Sequence, residues 1–242
     1  MADDKNREPL IRIPHRLIDS WLDFRSGGTL ANGERGGLSR CGTYGISGAS
    51  PLYFRAILAA ASLADANQIS ILGDGCGSAS ASSLARLMGT NAARLKSELE
   101  QSETFLIDAE RDSRIVFPAI VKRGGRWAMS PDFAASVSGP SARGFCQAPK
   151  SILGMKGREL DVALRFCLLF RLRFTNLARG GGIDPEDVRS CIGVRVKGFE
   201  IESMGKAGVL LIDDSGKLKI PRAVFNAYAS GLWTGKKRKR KK

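Results

Sequence analysis

Asn91, Arg94, Lys96, Ser97 and Gln101 hold the most coherent chemistry in this 242-residue chain. Carboxamide, guanidinium, ammonium and hydroxyl groups are the donors that read base edges and phosphates, and this spacing puts them outside a helix and its leading turn. Leu95 and Leu99 fall on the inner side, opposite Leu84, Leu87 and Met88 of a shorter helix. Arg111 and Arg114 follow in a charged turn and strand, where a hairpin meets phosphates.

The stretch that positions them, SLARLMGTNAARLKSELEQSETFLIDAERDSRIVFPAIV (Ser83 to Val121), parses in four parts. A short helix ends at Gly89, Thr90 and Asn91 make a turn, a second helix runs through Gln101, and a two-stranded hairpin closes the unit. The order is helix, turn, helix, wing, with Ser82 or Ser83 as the expected N-cap of the first helix.

The chain contains a second copy. EDVRSCIGVRVKGFEIESMGKAGVLLIDDSGKLKIPRAV (Glu186 to Val224) repeats the layout, with Gly193 lying 104 positions after Gly89 and Phe199 the same distance after Leu95. Ile107 and Asp108 recur as Ile212 and Asp213, and Phe117 and Pro118 as Ile220 and Pro221. Here Arg195 and Lys197 face out, although Gly198 and Gly205 weaken the helix. DDSG (Asp213 to Gly216) makes the turn, and Lys217, Lys219 and Arg222 stand where a wing meets phosphates.

A period of about 104 in a chain of this length predicts two domains. The expected boundaries are a flexible arm with a short amphipathic helix (1–50), a first domain (51–135), a linker rich in Ser, Gly, Pro and Lys (136–157), a second domain (158–230) and a disordered polybasic tail (231–242). Pro51 opens the buried first helix, LYFRAILAAASLAD, and the apolar run from Arg158 to Leu177 is its counterpart. The fold class is α+β, mainly α with small β-hairpins: two tandem winged helix-turn-helix domains.

The formal charge of +14 implies a polyanionic partner; the last seven residues, KKRKRKK, supply half of it and leave +7 on the rest. Lys236, Lys237 and Arg238 are the tail residues nearest the body. With no apolar leader and no run of ~20 apolar residues, a soluble, intracellular protein is expected, cytoplasmic and nucleoid-associated or, in a eukaryotic host, nuclear. The five scattered cysteines suggest reduced core thiols, and a single histidine, His15, argues against zinc sites and nucleophile triads. Carboxylate clusters (Asp108, Glu110 and Asp112; Asp184, Glu186 and Asp187; Asp213 and Asp214) sit at turns or helix starts, where acids are favoured locally. The Gly73 to Gly77 loop could open a methyl-donor site, but the strand and acidic residue that a Rossmann unit needs next are missing. No catalytic, cofactor or metal site is expected.

SLARLMGTNAARLKSELEQ with its wing, and EDVRSCIGVRVKGFEIESMG with its own, resemble in architecture the plasmid replication initiators that bind iteron repeats. The resemblance spans Pro51 to Tyr228, and the Gly-rich first 50 residues depart from it. It implies double-stranded DNA binding by both halves in successive major grooves, a homodimer through the first domain, contact with a replication-machinery protein, and a monomer–dimer balance between initiating replication and repressing the initiator's gene. A transcriptional regulator or nucleoid-type binder would share the fold. A viral or RNA-packaging protein would instead rely on arm and tail.

Deleting Lys236 to Lys242 separates these readings. Duplex affinity is expected to weaken, with the log–log salt slope shallower by ~0.9 for each phosphate that the tail no longer neutralises. Complete loss of binding would favour the packaging protein.

Overall fold

Residues 10–25, 44–47, 50–66, 78–101, 105–108, 113–116, 118–138 and 144–237 are described in the computed structural model. The chain is mainly helical with small antiparallel sheets, an α+β architecture. In order the elements are β1 (Leu10–Pro14), α1 (His15–Arg25), β2 (Tyr44–Ser47), α2 (Pro51–Ala66), α3 (Ala81–Leu87), α4 (Ala92–Gln101), β3 (Phe105–Asp108), β4 (Ser113–Val116), β5 (Ile120–Arg123) and β6 (Arg126–Met129). Then come α5 (Pro131–Ser138), β7 (Phe145–Pro149), α6 (Gly157–Leu172), α7 (Phe174–Gly180), α8 (Val188–Ile192), α9 (Gly198–Lys206), β8 (Leu211–Ile212), β9 (Leu218–Lys219) and α10 (Arg222–Lys237), with 3₁₀ turns at Lys150–Gly154 and Pro185–Asp187.

Local chemistry accounts for the boundaries. Pro51 starts α2 with its φ already helical, and the Ser50 hydroxyl accepts the Tyr53 N–H at 3.1 Å. Ser80 caps α3 by accepting from the Ser83 N–H at 3.1 Å, so the cap lies two residues before the expected Ser82. Gly89 and Gly193 end the short helices of the two halves with φ of 57° and 75°, a left-handed conformation that a Cβ disfavours. The expected 20-residue helix from Arg158 is broken at Arg173, whose φ of −108° and ψ of 18° separate α6 from α7.

Both halves use one arrangement. A long helix packs on a short one (α2 on α3, α6 on α8) and meets a second helix, α2 by packing on α4 and α6 through side-chain hydrogen bonds to α9, and a hairpin follows (β5–β6, or β8–β9). In each, one residue just ahead of the short helix bridges the hairpin's second strand: Ala79 pairs with Trp127, and Ile183 with Leu218. Ala79 to Ile183 is 104 positions, whereas Trp127 to Leu218 is 91; the 13-residue difference matches an extra hairpin in the first half, β3–β4. That extra hairpin is the one expected as the wing. It forms, but joins β2 in a separate three-stranded sheet, and the next hairpin takes the place beside the helices.

The segments expected to be loose are partly core. Ile11, Ile13, Leu17, Ile18, Trp21 and Leu22 are buried. Trp21 stacks on Phe54 of α2, ring centroids 4.1 Å apart, and its indole N–H donates to Asp161 of α6 at 2.9 Å, so α1 joins the two long helices. Within the expected linker, β7 pairs antiparallel with β1 from Leu10↔Pro149 to Pro14↔Phe145, and Ile152 and Leu153 are fully buried. Among the described residues no helix is long and apolar enough to cross a membrane.

A buried arginine locks each helix pair. Arg55 of α2 donates to the carbonyl of Met88, the residue before Gly89, and to the Leu153 carbonyl at 2.9 Å. Arg165 of α6 donates at 3.1 Å to the carbonyl of Ile192, the residue before Gly193. Burial lowers the Arg55 pKa from its ordinary value. Each buried carbonyl left without a donor costs about 1–3 kcal/mol. Arg55→Met should therefore cost about 2–4 kcal/mol and Arg165→Met about 1–3, measured by urea unfolding; a change below half a kcal/mol, roughly the scatter of a neutral surface substitution, would show that neither bond matters.

Candidate nucleic-acid interface

α4 presents two faces, as its spacing requires. Leu95 and Leu99 are buried against the core, while Arg94, Lys96, Ser97 and Gln101 are exposed. Asn91 is exposed as well, and its Oδ1 accepts the Arg94 N–H at 3.0 Å, which caps α4.

The β5–β6 hairpin lies beside this helix and supplies cations that spacing alone did not bring to the site. Gly124 and Gly125, φ 55° and 75°, make its tight turn, a conformation suited to the right-handed twist of a two-residue hairpin. Lys122 pairs with Glu100 of α4 at 3.1 Å and stands over the Trp127 ring, 5.4 Å from its centroid. With both partners nearly half exposed, at 46% and 43%, the pair orients the hairpin more than it stabilises it. Arg126 is steered back to Ser78, with Nη2 2.8 Å from the carbonyl and Nε 3.1 Å from the hydroxyl. Arg123 is exposed at the tip, and Arg86 is exposed on α3. Arg86, Arg94, Lys96 and Arg123 have no ion-pair partner among the described residues. The signal for this hairpin was present as RGGR, Arg123 to Arg126, a Gly-Gly turn between alternating strands.

Across α3, α4, β5 and β6, six cations (Arg86, Arg94, Lys96, Lys122, Arg123, Arg126) face two carboxylates, Glu98 and Glu100. Glu98 also accepts a hydrogen bond from the Ser50 hydroxyl. Of the hairpin residues expected to meet phosphates, Arg114 lies in β4, paired with Ile107, and Arg111 lies outside the described residues. Lys236 and Lys237 end α10; Arg238 and the Gly73–Gly77 loop lie outside the described residues.

The second copy is built alike but charged differently. Lys197 N–H donates to Glu200 Oε2 at 2.8 Å and starts α9; Arg195 and Lys197 are both exposed, as expected. Phe199 does not take the place of Leu95: it is 65% exposed, and α9 turns Glu200 and Met204 inward instead. Taken from N-cap to N-cap, Asn91 to Lys197 is 106 positions, two more than the glycine offset, which rotates the apolar stripe. Lys217 and Lys219, expected to meet phosphates, are engaged within the protein, with Asp184 at 3.3 Å and Asp213 at 2.6 Å. The Lys219, Ser215 and Lys217 contacts hold the Asp213 carboxyl well below the usual carboxylate range. In the corresponding elements of the second half, α8, α9, β8 and β9, there are three cations, Arg189, Lys206 and Lys219, and two carboxylates, Glu200 and Glu202; the turns before and between them add Arg195, Lys197 and Lys217 with Glu186, Asp187, Asp213 and Asp214. Arg222 is exposed at the start of α10.

The groups considered for catalysis lie elsewhere. His15 was expected in a mobile arm; it is 1% exposed, with Nε2 3.2 Å from Asp19 Oδ2. Burial pushes the Cys146 thiol up and the Cys167 thiol up to about 12, which keeps both protonated and unreactive at neutral pH. Among the described residues no group of three or more His, Cys, Asp or Glu could hold a metal ion. No family model, curated protein or solved structure matches the chain.

Glu200 ties α9 to α6. Burial raises its pKa, but hydrogen bonds from Arg158 Nε, at 2.7 Å, and the Lys197 N–H, with the charges of both residues, outweigh it and leave the carboxyl below its ordinary 4.5. A carboxyl depressed on folding adds stability above its unfolded pKa and loses it as pH falls through the folded value. Below about pH 4.5 the native chain should therefore lose urea resistance faster than Glu200→Gln. Parallel acid limbs would show that Glu200 is not linked to folding.

Proposed function

We propose that the chain is a sequence-specific double-stranded DNA-binding protein made of two tandem winged-helix domains, with the first as the principal reader. The observation that carries this is that α3, α4 and the β5–β6 hairpin, joined by the α3–α4 packing and the Lys122–Glu100 pair, carry six cations and only two carboxylates. In a winged helix the second helix of the pair enters the major groove and the hairpin lies along the backbone. α4 supplies base-reading groups in Arg94, Lys96, Ser97 and Gln101, and Arg123, at the hairpin tip with no ion-pair partner among the described residues, supplies the leading phosphate contact. The second copy adds backbone contacts from Arg189, Arg195 and Lys197, while its hairpin lysines stay with their aspartates.

Two such domains in tandem support the role of a plasmid-type replication initiator, acting on repeated sites in the cytoplasm at the nucleoid. The homodimer through the first domain and the replication-machinery partner belong to that role. A transcriptional regulator would use the same face, and an operator without repeats would favour it.

The test is selection of bound duplexes from a random pool at ~150 mM salt. One enriched sequence is expected. Arg94→Ala should relax its specificity at one position by about 1–3 kcal/mol, and Arg123→Ala should weaken all sequences alike and reduce the salt slope by about 1. Lys217→Ala and Lys219→Ala should leave affinity within about twofold, since exposed pairs contribute little. A pool with no enriched sequence contradicts the reading.

A further inference from the structure

The connection between the two helix pairs is gripped from both sides within a few residues. On the first copy's side, Arg55 Nε and Nη2 reach the Leu153 carbonyl at 3.2 and 2.9 Å, and Nη2 also reaches the Gly154 carbonyl at 3.4 Å. The same guanidinium holds the Met88 carbonyl at the turn into α4. On the second copy's side, the Ser151 hydroxyl donates at 2.6 Å to the Ala207 carbonyl, where α9 ends. Ile152 and Leu153, between these anchors, are fully buried, and the Met155 N–H closes the 3₁₀ turn on Ile152 at 3.2 Å.

The approach to this turn is equally held. β7 is paired along its length with β1, and the Gln147 N–H is taken at 2.8 Å by the Tyr228 hydroxyl of α10. A flexible linker leaves two binding modules free to engage sites at varied spacing, at an effective concentration set by its length. Here the connection from Phe145 to Met155 is strand-paired or buried at most of its positions.

We propose that Lys150–Gly154 is a rigid spacer that sets α9 against α4 at one distance and one rotation. The protein's substrate is then a duplex whose two contacted patches lie at a single fixed separation and helical phase. Arg55 and Ser151 are positioning residues: they touch no DNA and act by placing the helices that do. The DNA consequence rests on the reading above; the rigidity does not.

Two arms keep the claims apart. Without DNA, non-natural spin labels at the exposed positions Ala93 of α4 and Glu202 of α9 should give one narrow distance distribution. Insertion of two glycines between Gly154 and Met155 should broaden it, with a separate unfolding curve establishing that the variant folds. A broad native distribution overturns the spacer.

With DNA, the native chain should protect two patches of the selected duplex. Five added base pairs between them, about half a helical turn, should lower affinity at least tenfold, and the two-glycine variant should lose at most threefold. Native tolerance of the insertion within threefold, or a single protected patch that still depends on Arg94, overturns the fixed-phase substrate and leaves the reading of α4 standing. Failure of any duplex to be enriched, with a narrow native distance, overturns that reading and leaves the spacer.

Discussion

A buried guanidinium that satisfies the carbonyl just before a helix-ending glycine is the constraint on which both halves of this protein depend. The last carbonyls of a helix have no partner within it, and at Met88 and Ile192 the following turn carries the chain away before water can serve them. An arginine on the long helix solves the problem from below, because its fork can reach past an apolar layer and still donate several bonds. Angle and depth of the second helix are thereby tied to the long helix. In the first half the same guanidinium also holds the chain leading to the second half, so one side chain links the turn, the long helix and the connection.

Two halves of like layout can differ in what they display, and these two do. The buried arginine, the positive-φ glycine and the single-residue bridge to the hairpin recur in both halves. The exposed side chains do not. The first half leaves Arg86, Arg94, Lys96 and Arg123 free of carboxylates among the described residues, and an unpaired surface cation has more to gain from a phosphate than one already sharing its charge. In the second half, Asp184 and Asp213 take up the hairpin lysines, and Phe199 faces solvent where a polar groove-reading residue would be expected. The proposed division of labour follows from that contrast alone.

Much of this was visible in residue spacing, where short-range rules govern. The stripe Leu84, Met88, Leu95 and Leu99, the turn glycines and the DDSG hairpin all follow from contacts within a few residues. What escaped depends on partners far along the chain. β1 meets β7 nearly 140 positions later, so neither short strand declares itself, and a Ser- and Gly-rich approach to it reads as linker. Two consecutive hairpins in the first half satisfy the same alternation, and the contacts that show which one adjoins the helices, the Ala79–Trp127 bridge and the Lys122–Glu100 pair, join residues far apart in the chain. The intramolecular partners of Asn91, Lys217 and Lys219, a helix cap and nearby aspartates, also could not be read from spacing.

One face, the outer side of α4 together with the Lys122 to Arg126 turn, is proposed to meet duplex DNA. Amide hydrogen exchange of the full chain, with and without a saturating duplex, addresses that face directly. Slowed exchange across residues 92–101 and 122–126 is the predicted result. Unchanged exchange there, with protection confined to the C-terminal end of α10 and the lysines beyond it, would contradict DNA reading by α4 and leave the chain a binder through its basic tail.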